Sequence, residues 1–272
     1  MLRSEPGFTI FVIATGKYIT YFKDLYNDLS GCANYVGRID LVLLTDQNFE
    51  ENNEAQFRKI KVYKKHAAFD DWVSATLLRF KQITKYESEL PKQNIVWLDA
   101  DMRIVNPKEF CEQILAMKNM TFARHPGFLF SFTKFRNFGF RRTMKTLISY
   151  TQRVFHGQIF NGTWENNRIS SAYIKSSDRR RYIHGAIWGG PKENFVEMCR
   201  ELDRLVDDDL KNDYIALWHD ESHINRYFAA NRNTCKTFTK YFSGADGLTP
   251  KSKQLALWSV DKNSQERRVQ NL

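Results

Sequence analysis

Apolar positions along this chain fall into short runs separated by amphipathic stretches. Phe8–Ile13, Ile39–Leu44 and Ile95–Leu98 are nearly continuous apolar runs of strand length, the pattern of strands buried on both faces. Lys59–Tyr63 predicts a further strand, and Thr121–Arg124 and Ile183–Trp188 two later ones. After the first run, Phe22, Leu25 and Leu29 recur at helical spacing. Trp72–Tyr86, Lys108–Lys118, Glu193–Val206 and Glu221–Ala229 predict four more helices. Such alternation predicts an α/β fold with a doubly wound, mainly parallel sheet and ligands at the carboxyl ends of its strands. Residues 129–160 break the rhythm. The tail from 250 is polar and basic, with Leu255, Leu257 and Trp258 as its apolar anchors.

The chain has 272 residues, 42% of them hydrophobic and 14% aromatic, enough for a sizeable core and too apolar for a disordered chain. No run approaches the 18 or so apolar residues of a membrane-spanning helix, and the first residues lack the apolar centre of a signal peptide. Cys32, Cys111, Cys199 and Cys235 form no CxxC pair, so isolated buried thiols are expected. The formal net charge is +10, which favours anionic partners. It is unevenly spread. Residues 129–160 contain Lys134, Arg136, Arg141, Arg142, Lys145 and Arg153 with no acidic residue, interleaved with seven phenylalanines. Basic residues in one segment without a recognisable binding motif give little support to a nucleic-acid partner.

Several constellations could carry chemistry. The run Ile95–Leu98 ends in Asp99-Ala100-Asp101. Extended spacing would put the two carboxylates on one side, where their repulsion is relieved by a hard cation, Mn²⁺ or Mg²⁺. An acidic turn is the plainer alternative. Trp218-His219-Asp220-Glu221-Ser222-His223 is a dense polar cluster. Its two histidines, four apart, would make a zinc face on a helix, although Asp220 stands where the H-E-x-x-H pattern has Glu. Asp220 as a helix cap is a second alternative, and Glu221 as a site carboxylate a third. His184 lies in an apolar run followed by small residues, Gly185-Ala186-Ile187-Trp188-Gly189-Gly190, which permit close approach of a ligand or of a neighbouring strand. Lys262 and Arg268 are tail cations able to clamp phosphates, or plain solvated charges.

Taken together, Leu98-Asp99-Ala100-Asp101-Met102, His125-Pro126-Gly127-Phe128, His184–Gly190 and Trp218–Phe228 resemble, in order, the motifs of glycosyltransferase family 6, which includes the histo-blood-group transferases and α-1,3-galactosyltransferases. The resemblance implies a GT-A fold, with a mixed, mainly parallel Rossmann-like sheet flanked by helices. It implies retaining transfer of galactose or N-acetylgalactosamine from UDP to a 3-hydroxyl of a glycan or glycolipid acceptor. One catalytic domain over 1–272 is expected: a nucleotide-sugar half (1–102), an acceptor and donor-sugar half (103–249), and a tail (250–272) closing over the diphosphate. By resemblance, Asp99 and Asp101 hold Mn²⁺ (or Mg²⁺). Ile13, Ala14, Thr15 and Tyr18 hold uridine, and Arg79 sits near the donor sugar and phosphates. His184-Gly185-Ala186 tunes donor choice, Ala186 favouring galactose. Asp220 binds donor hydroxyls, Glu221 lies beneath the anomeric carbon, and Lys262 and Arg268 clamp the diphosphate. His125, Trp218, Glu221 and Asp246 face the acceptor.

Two departures stand out. The sequence shows no counterpart of the vertebrate enzymes' membrane anchor and stem, so a short form like the bacterial members is expected. Many of those replace the aspartates by asparagines, whereas this chain keeps both. The chain is also longer than the vertebrate pattern between Phe128 and Trp164. That basic, Phe-rich insertion at about 130–160 is expected beside the acceptor site, either on an anionic membrane surface or packed over the core. The expected location is cytoplasmic or peripheral membrane for a complete chain, or Golgi lumen for a fragment. A catalytically silent nucleotide-sugar- or carbohydrate-binding protein on the same fold is the alternative function.

Overall fold

The computed structural model describes residues 6–90, 93–129, 162–245, 253 and 255–260. The insertion at 130–160, Asp246, Lys262 and Arg268 lie outside the described residues. The elements run β1 (Gly7–Ile13), α1 (Tyr18–Cys32), β2 (Arg38–Thr45), β3 (Ile60–His66), α2 (Trp72–Leu77), α3 (Arg79–Lys85), β4 (Asn94–Leu98), β5 (Met102–Ile104), α4 (Pro107–Leu115), β6 (Thr121–Arg124), β7 (Ile183–Pro191), α5 (Lys192–Lys211), α6 (His219–Ala230), β8 (Lys236–Thr237), β9 (Ser243–Ala245) and β10 (Leu257–Ser259). Among the described residues they build a seven-stranded sheet, order β3-β2-β1-β4-β7-β6-β8, and a three-stranded one, β5-β10-β9.

The sheet is mixed and mainly parallel, with helices on both sides, as a GT-A fold requires. Pairs β3–β2, β2–β1, β1–β4 and β6–β8 are parallel, while β7 runs antiparallel between β4 and β6. Alternate residues feed two separate cores. Phe8, Ile10, Val12, Val96 and Leu98 pack with α1 and α4, through Phe22, Leu25, Leu29 and Phe110. Phe11, Ile95 and Trp97 pack on the opposite face with Phe80, Ile83, Phe195 and Leu202 of α3 and α5. Burial on both faces is why these strands read as continuous apolar runs.

The predicted helix over Trp72–Tyr86 is two helices. Asp71 caps the first by accepting from Ser74 N–H at 2.7 Å. The chain then departs from helical dihedrals at Leu78 (φ −84°, ψ 1°), so that Arg79 starts the second. Gly189 and Gly190 serve the sheet rather than a ligand. A Cβ on Gly189 would lie 2.5 Å from the Ile95 carbonyl oxygen, and one on Gly190 2.7 Å from Met120 Sδ. At Gly189, where the close atom is backbone, only glycine lets β7 lie against β4, and at Gly190 a larger residue would have to displace the Met120 side chain. All four cysteines are buried and free. No helix among the described residues is long and apolar enough to cross a membrane.

Candidate active site

A cleft of about 450 Å³ opens at the carboxyl ends of β1, β2 and β4, within the size range of small-molecule sites. Ile13, Thr15, Tyr18, Arg79, Asp99, Asp101, His125, His184, Gly185, Ala186, Trp218, Asp220 and Glu221 line it. The structure therefore gathers residues from motifs more than 200 positions apart. Ala14, fully buried, lies just behind the wall, where its carbonyl accepts from Thr45 Oγ1 at 2.6 Å.

The β1–α1 turn is held by the end of β2. Ala14 N–H donates to Leu44 C=O at 2.9 Å. Gly16, at φ +52°, donates its N–H to Asp46 Oδ1 at 2.9 Å, and that bond holds the Asp46 carboxyl below its ordinary range. Positive φ is why glycine stands at this turn.

The two aspartates sit on a turn that closes β4, not on extended chain as their spacing suggested. Met102 N–H donates to Asp99 C=O at 3.2 Å, while Asp99 N–H donates to Ala186 C=O at 3.0 Å and Val260 N–H to Asp101 C=O at 3.1 Å. Strands from both later parts of the chain thus fix this turn. The Asp99 side chain accepts from Trp97 Nε1 at 2.8 Å. Arg79, nearly buried, reaches Asp99 Oδ1 at 3.3 Å and Asp220 Oδ2 at 3.0 Å, and lies over the Trp97 ring at 4.4 Å.

Asp220 and Glu221 project from the first turn of α6. His219 takes φ +45°, an uncommon conformation for a residue with a Cβ, and its ring packs on Trp72 at 5.1 Å. Ser222 Oγ accepts from Trp218 N–H at 3.0 Å. One turn further, Asn225 clamps α6 to β7. Its Oδ1 accepts from Ile183 N–H at 2.8 Å, and its Nδ2 donates to Ile183 C=O at 3.0 Å and Glu221 C=O at 2.8 Å. The paired-histidine zinc face does not form. His223 is completely buried, with Nε2 3.5 Å from Asp209, while the His219 ring packs on Trp72. Asp220 does not cap the helix either, because Trp218 holds that position.

Glu221 is positioned by Gly185, whose N–H donates to Oε2 at 2.8 Å. A Cβ on Gly185 would lie 3.2 Å from the Glu221 Cβ and 3.3 Å from Oε2. Burial pushes Glu221 up to about 7, against the Gly185 bond, and Asp99 adds repulsion. Burial likewise lifts Asp220 to about 7, with Arg79 opposing and Asp99 and Glu221 reinforcing. His184 is held down to about 4 by desolvation, so its ring is neutral at pH 7.

The cleft fits a divalent cation. Asp46, Asp71, Asp99, Asp101, Asp220 and Glu221 line it against Lys17 and Arg79, an excess of hard oxygen donors suited to Mn²⁺ or Mg²⁺. His125, His184 and Glu221 form a second candidate group, with ligand atoms within 4.8 Å of one another. Its histidines suit a zinc-like ion better. His125 Nδ1 already accepts from Gly127 N–H at 3.1 Å, which leaves the neutral ring's proton on Nε2, so ligation through Nε2 would require the other tautomer and ligation through Nδ1 the loss of that bond.

Four contributors carry no functional signal in the sequence pattern. Trp97 reads only as apolar strand, although its indole N–H orients Asp99. Asn225 lay in a quoted motif without a role. Ser243, whose Oγ is 3.3 Å from His184 Nδ1, and Asp46 carried no pattern beyond their positions at strand ends.

The family model for glycosyltransferase family 6 matches residues 133–269. The chain is 33% identical over 69 residues to human globoside alpha-1,3-N-acetylgalactosaminyltransferase 1, covering 25% of this chain and 20% of that protein. It is 30% identical over 105 residues to rat histo-blood group ABO system transferase 2, covering 38% and 31%. With the Escherichia coli O-antigen biosynthesis glycosyltransferase WbnI it shares 24% identity over 225 residues, 82% of each chain. The matches to the first two relatives span under a third of those proteins' lengths.

Proposed function

The chain belongs to glycosyltransferase family 6, and we propose that it is a metal-dependent retaining hexosyltransferase. It moves galactose from UDP to the 3-hydroxyl of an acceptor sugar, forming an α-1,3 linkage. The observation that carries this reading is the position of Glu221, pinned by the Gly185 N–H at 2.8 Å in the same cleft as the Asp99–Asp101 turn.

In this reading the β1–α1 turn takes the uridine, and Asp99 and Asp101 would hold Mn²⁺. The bound ion would neutralise the diphosphate and stabilise UDP as it leaves. Arg79 and Asp220 face the donor sugar, Ala186 narrows the space an N-acetyl group would need, and Lys262 and Arg268 add charge over the diphosphate. His125, Trp218 and Asp246 orient the acceptor. The bond between the anomeric carbon and the phosphate oxygen breaks with its electron pair going to UDP. Positive charge develops at that carbon, and Glu221 answers it. An anion that burial makes costly at rest is relieved most when a cation forms beside it. Glu221 then acts either as the stabiliser of front-face attack or as a covalent nucleophile displaced by the acceptor oxygen. In either form the acceptor proton passes to the departed UDP phosphate oxygen.

The test is hydrolysis and transfer from UDP-galactose, UDP-N-acetylgalactosamine and UDP-glucose, with Mn²⁺ and with EDTA. Metal-requiring turnover of UDP-galactose is expected, with UDP-N-acetylgalactosamine slower by about tenfold, since one methyl discriminates by about 1–3 kcal/mol. Thermal stabilisation by UDP-sugars without turnover would instead mark a silent binding protein. Undiminished turnover in EDTA, or in Asp101→Asn, would remove the metal from the proposal.

A further inference from the structure

Ser243 does not line the cleft, yet it anchors a side chain that does. Its hydroxyl oxygen is 3.3 Å from His184 Nδ1, and His184 lines the cleft two positions before Ala186 on β7. Two neighbours hold the His184 ring. The His125 ring meets it edge-on, with centroids 4.8 Å apart and planes at 72°. That contact restricts the ring's rotation but does not decide which nitrogen carries the proton. Ser243 is 1% exposed, and among the described residues His184 is the hydrogen-bond partner of its hydroxyl. A buried hydroxyl hydrogen needs an acceptor, and Nδ1 of a neutral ring accepts only when the proton sits on Nε2. Desolvation keeps His184 neutral at pH 7. The arrangement that leaves the buried hydroxyl hydrogen paired therefore has Ser243 O–H donating to Nδ1, with Nε2–H as the ring's remaining donor.

The strand that carries Ser243 is fastened on two sides. β9 pairs with β10 at Ser243 and Leu257, β10 pairs with β5 at Leu257 and Ile104, and Val260 N–H donates to Asp101 C=O at 3.1 Å. β9 also lies against the Pro126–Phe128 turn that follows His125. A hydroxyl held this way can orient a binding group as a second neighbour does in a preorganised site. The chemistry around His184 gives that orientation a use. Asp99, Asp220 and Glu221 offer acceptors to a sugar, and the Gly185 N–H is already spent on Glu221. A ring nitrogen of His184 and a Glu221 carboxylate oxygen lie within 4.8 Å of each other, so one sugar oxygen would accept from the imidazole N–H and donate to the carboxylate. Sites built to hydrogen-bond a substituent discriminate more strongly than fit alone. We propose that Ser243 is a specificity-determining positioning residue: its hydroxyl donates to His184 Nδ1, fixes the Nε2–H tautomer, and through that ring sets the preference between donor sugars. The effect on donor choice rests on the glycosyltransferase reading, whereas the hydrogen bond does not.

The test pairs imidazole nitrogen NMR of the full chain, isotope-labelled at histidine, with donor kinetics. The His184 resonances are those lost in His184→Ala. The Nε2–H tautomer should predominate in wild type, and both tautomers should be populated in Ser243→Ala. Ser243→Cys fills nearly the same space with a weak donor and should show the same change, which separates the lost hydrogen bond from lost packing. The ratio of kcat/KM for UDP-galactose over UDP-N-acetylgalactosamine should change by about threefold or more in Ser243→Ala. Ser243→Ala/His184→Ala should keep the ratio of His184→Ala alone, because the serine acts through the histidine. Equal losses with both donors, or effects of the two substitutions that multiply, would make Ser243 a packing residue and overturn the proposal. A wild-type His184 protonated on Nδ1, or a tautomer unchanged in both serine variants, would overturn it as well. Failure of wild type to turn over any UDP-sugar would overturn the proposed reaction, while a tautomer change in both serine variants would still support the positioning of His184 by Ser243.

Discussion

Gly185 donates its N–H to Glu221 Oε2 at 2.8 Å, and a Cβ at Gly185 would crowd the same side chain. Replacing Gly185 by Ala inserts a Cβ 3.2–3.4 Å from three Glu221 atoms, which a shift of a few tenths of an ångström accommodates. Gly185→Val adds two methyls to the same space. A graded loss of kcat is expected, about threefold to tenfold for Ala and about a hundredfold for Val, since small misplacements of a catalytic group are costly. Steady-state kinetics with circular dichroism as a fold control checks it. Equal activity of all three proteins would show that Glu221 needs no such positioning.

Arg79 is the cation shared by Asp99 and Asp220. Arg79→Met leaves two carboxylates of the cleft wall without it, and removing one partner of a buried pair costs about 3 kcal/mol. Arg79→Lys keeps the charge but not the planar fork or the stacking on Trp97, so intermediate stability is expected. Urea denaturation orders the three proteins, and donor KM should rise in both variants.

Asp220 and Glu221 hold their protons more tightly folded than unfolded, rising from 3.8 and 4.5 to about 7. Their contribution to stability is therefore most favourable in acid and is lost as pH rises through about 7. Glu221→Gln removes the titration. The variant should match wild type near pH 4 and exceed it by roughly 1–3 kcal/mol at pH 8, as read by denaturation at both pH values. A constant difference across that range would contradict the shift.

Donor-free metal binding separates the two candidate cation groups. Mn²⁺ should raise the melting temperature of wild type and of His125→Ala, but not of Asp99→Asn or Asp101→Asn. A Mn²⁺ response abolished by His125→Ala and kept by Asp101→Asn would move the ion to the histidine side.

Asn225 satisfies both backbone groups of Ile183. Asn225→Leu has similar bulk but leaves that N–H and C=O unpaired, each costing about 1–3 kcal/mol. Stability should fall by about 3 kcal/mol, with kcat falling as the α6–β7 clamp loosens. Asn225→Asp keeps only the acceptor and should lie between.

The apolar runs predicted strands well because β1, β2 and β4 are buried on both faces, and the amphipathic spacing of Phe22, Leu25 and Leu29 gave α1 the same clarity. The motifs named the cleft's walls before the fold brought them together. What stayed hidden is non-local. Nothing in Ile183–Gly190 announces that this strand runs antiparallel between β4 and β6, since direction depends on partners 59 to 97 residues away. Leu78 looks like any helical leucine, and the helix breaks there although its local pattern is continuous. His219 adopts positive φ without being Gly or Asn, so no turn signal marks it. Gly185 and Gly189 looked alike, yet one clears space for a carboxylate and the other for a strand.

The small β5–β10–β9 sheet has a consequence for synthesis. Leu257 pairs with Ile104, and the Val260 N–H reaches back to Asp101. The Asp99–Asp101 turn is thus translated early and fastened late, by residues more than 150 positions downstream. Contacts of such sequence separation form slowly. A nascent chain carries both aspartates through most of its growth without this late backbone, so the turn is fully fastened only once residue 260 is available to pair.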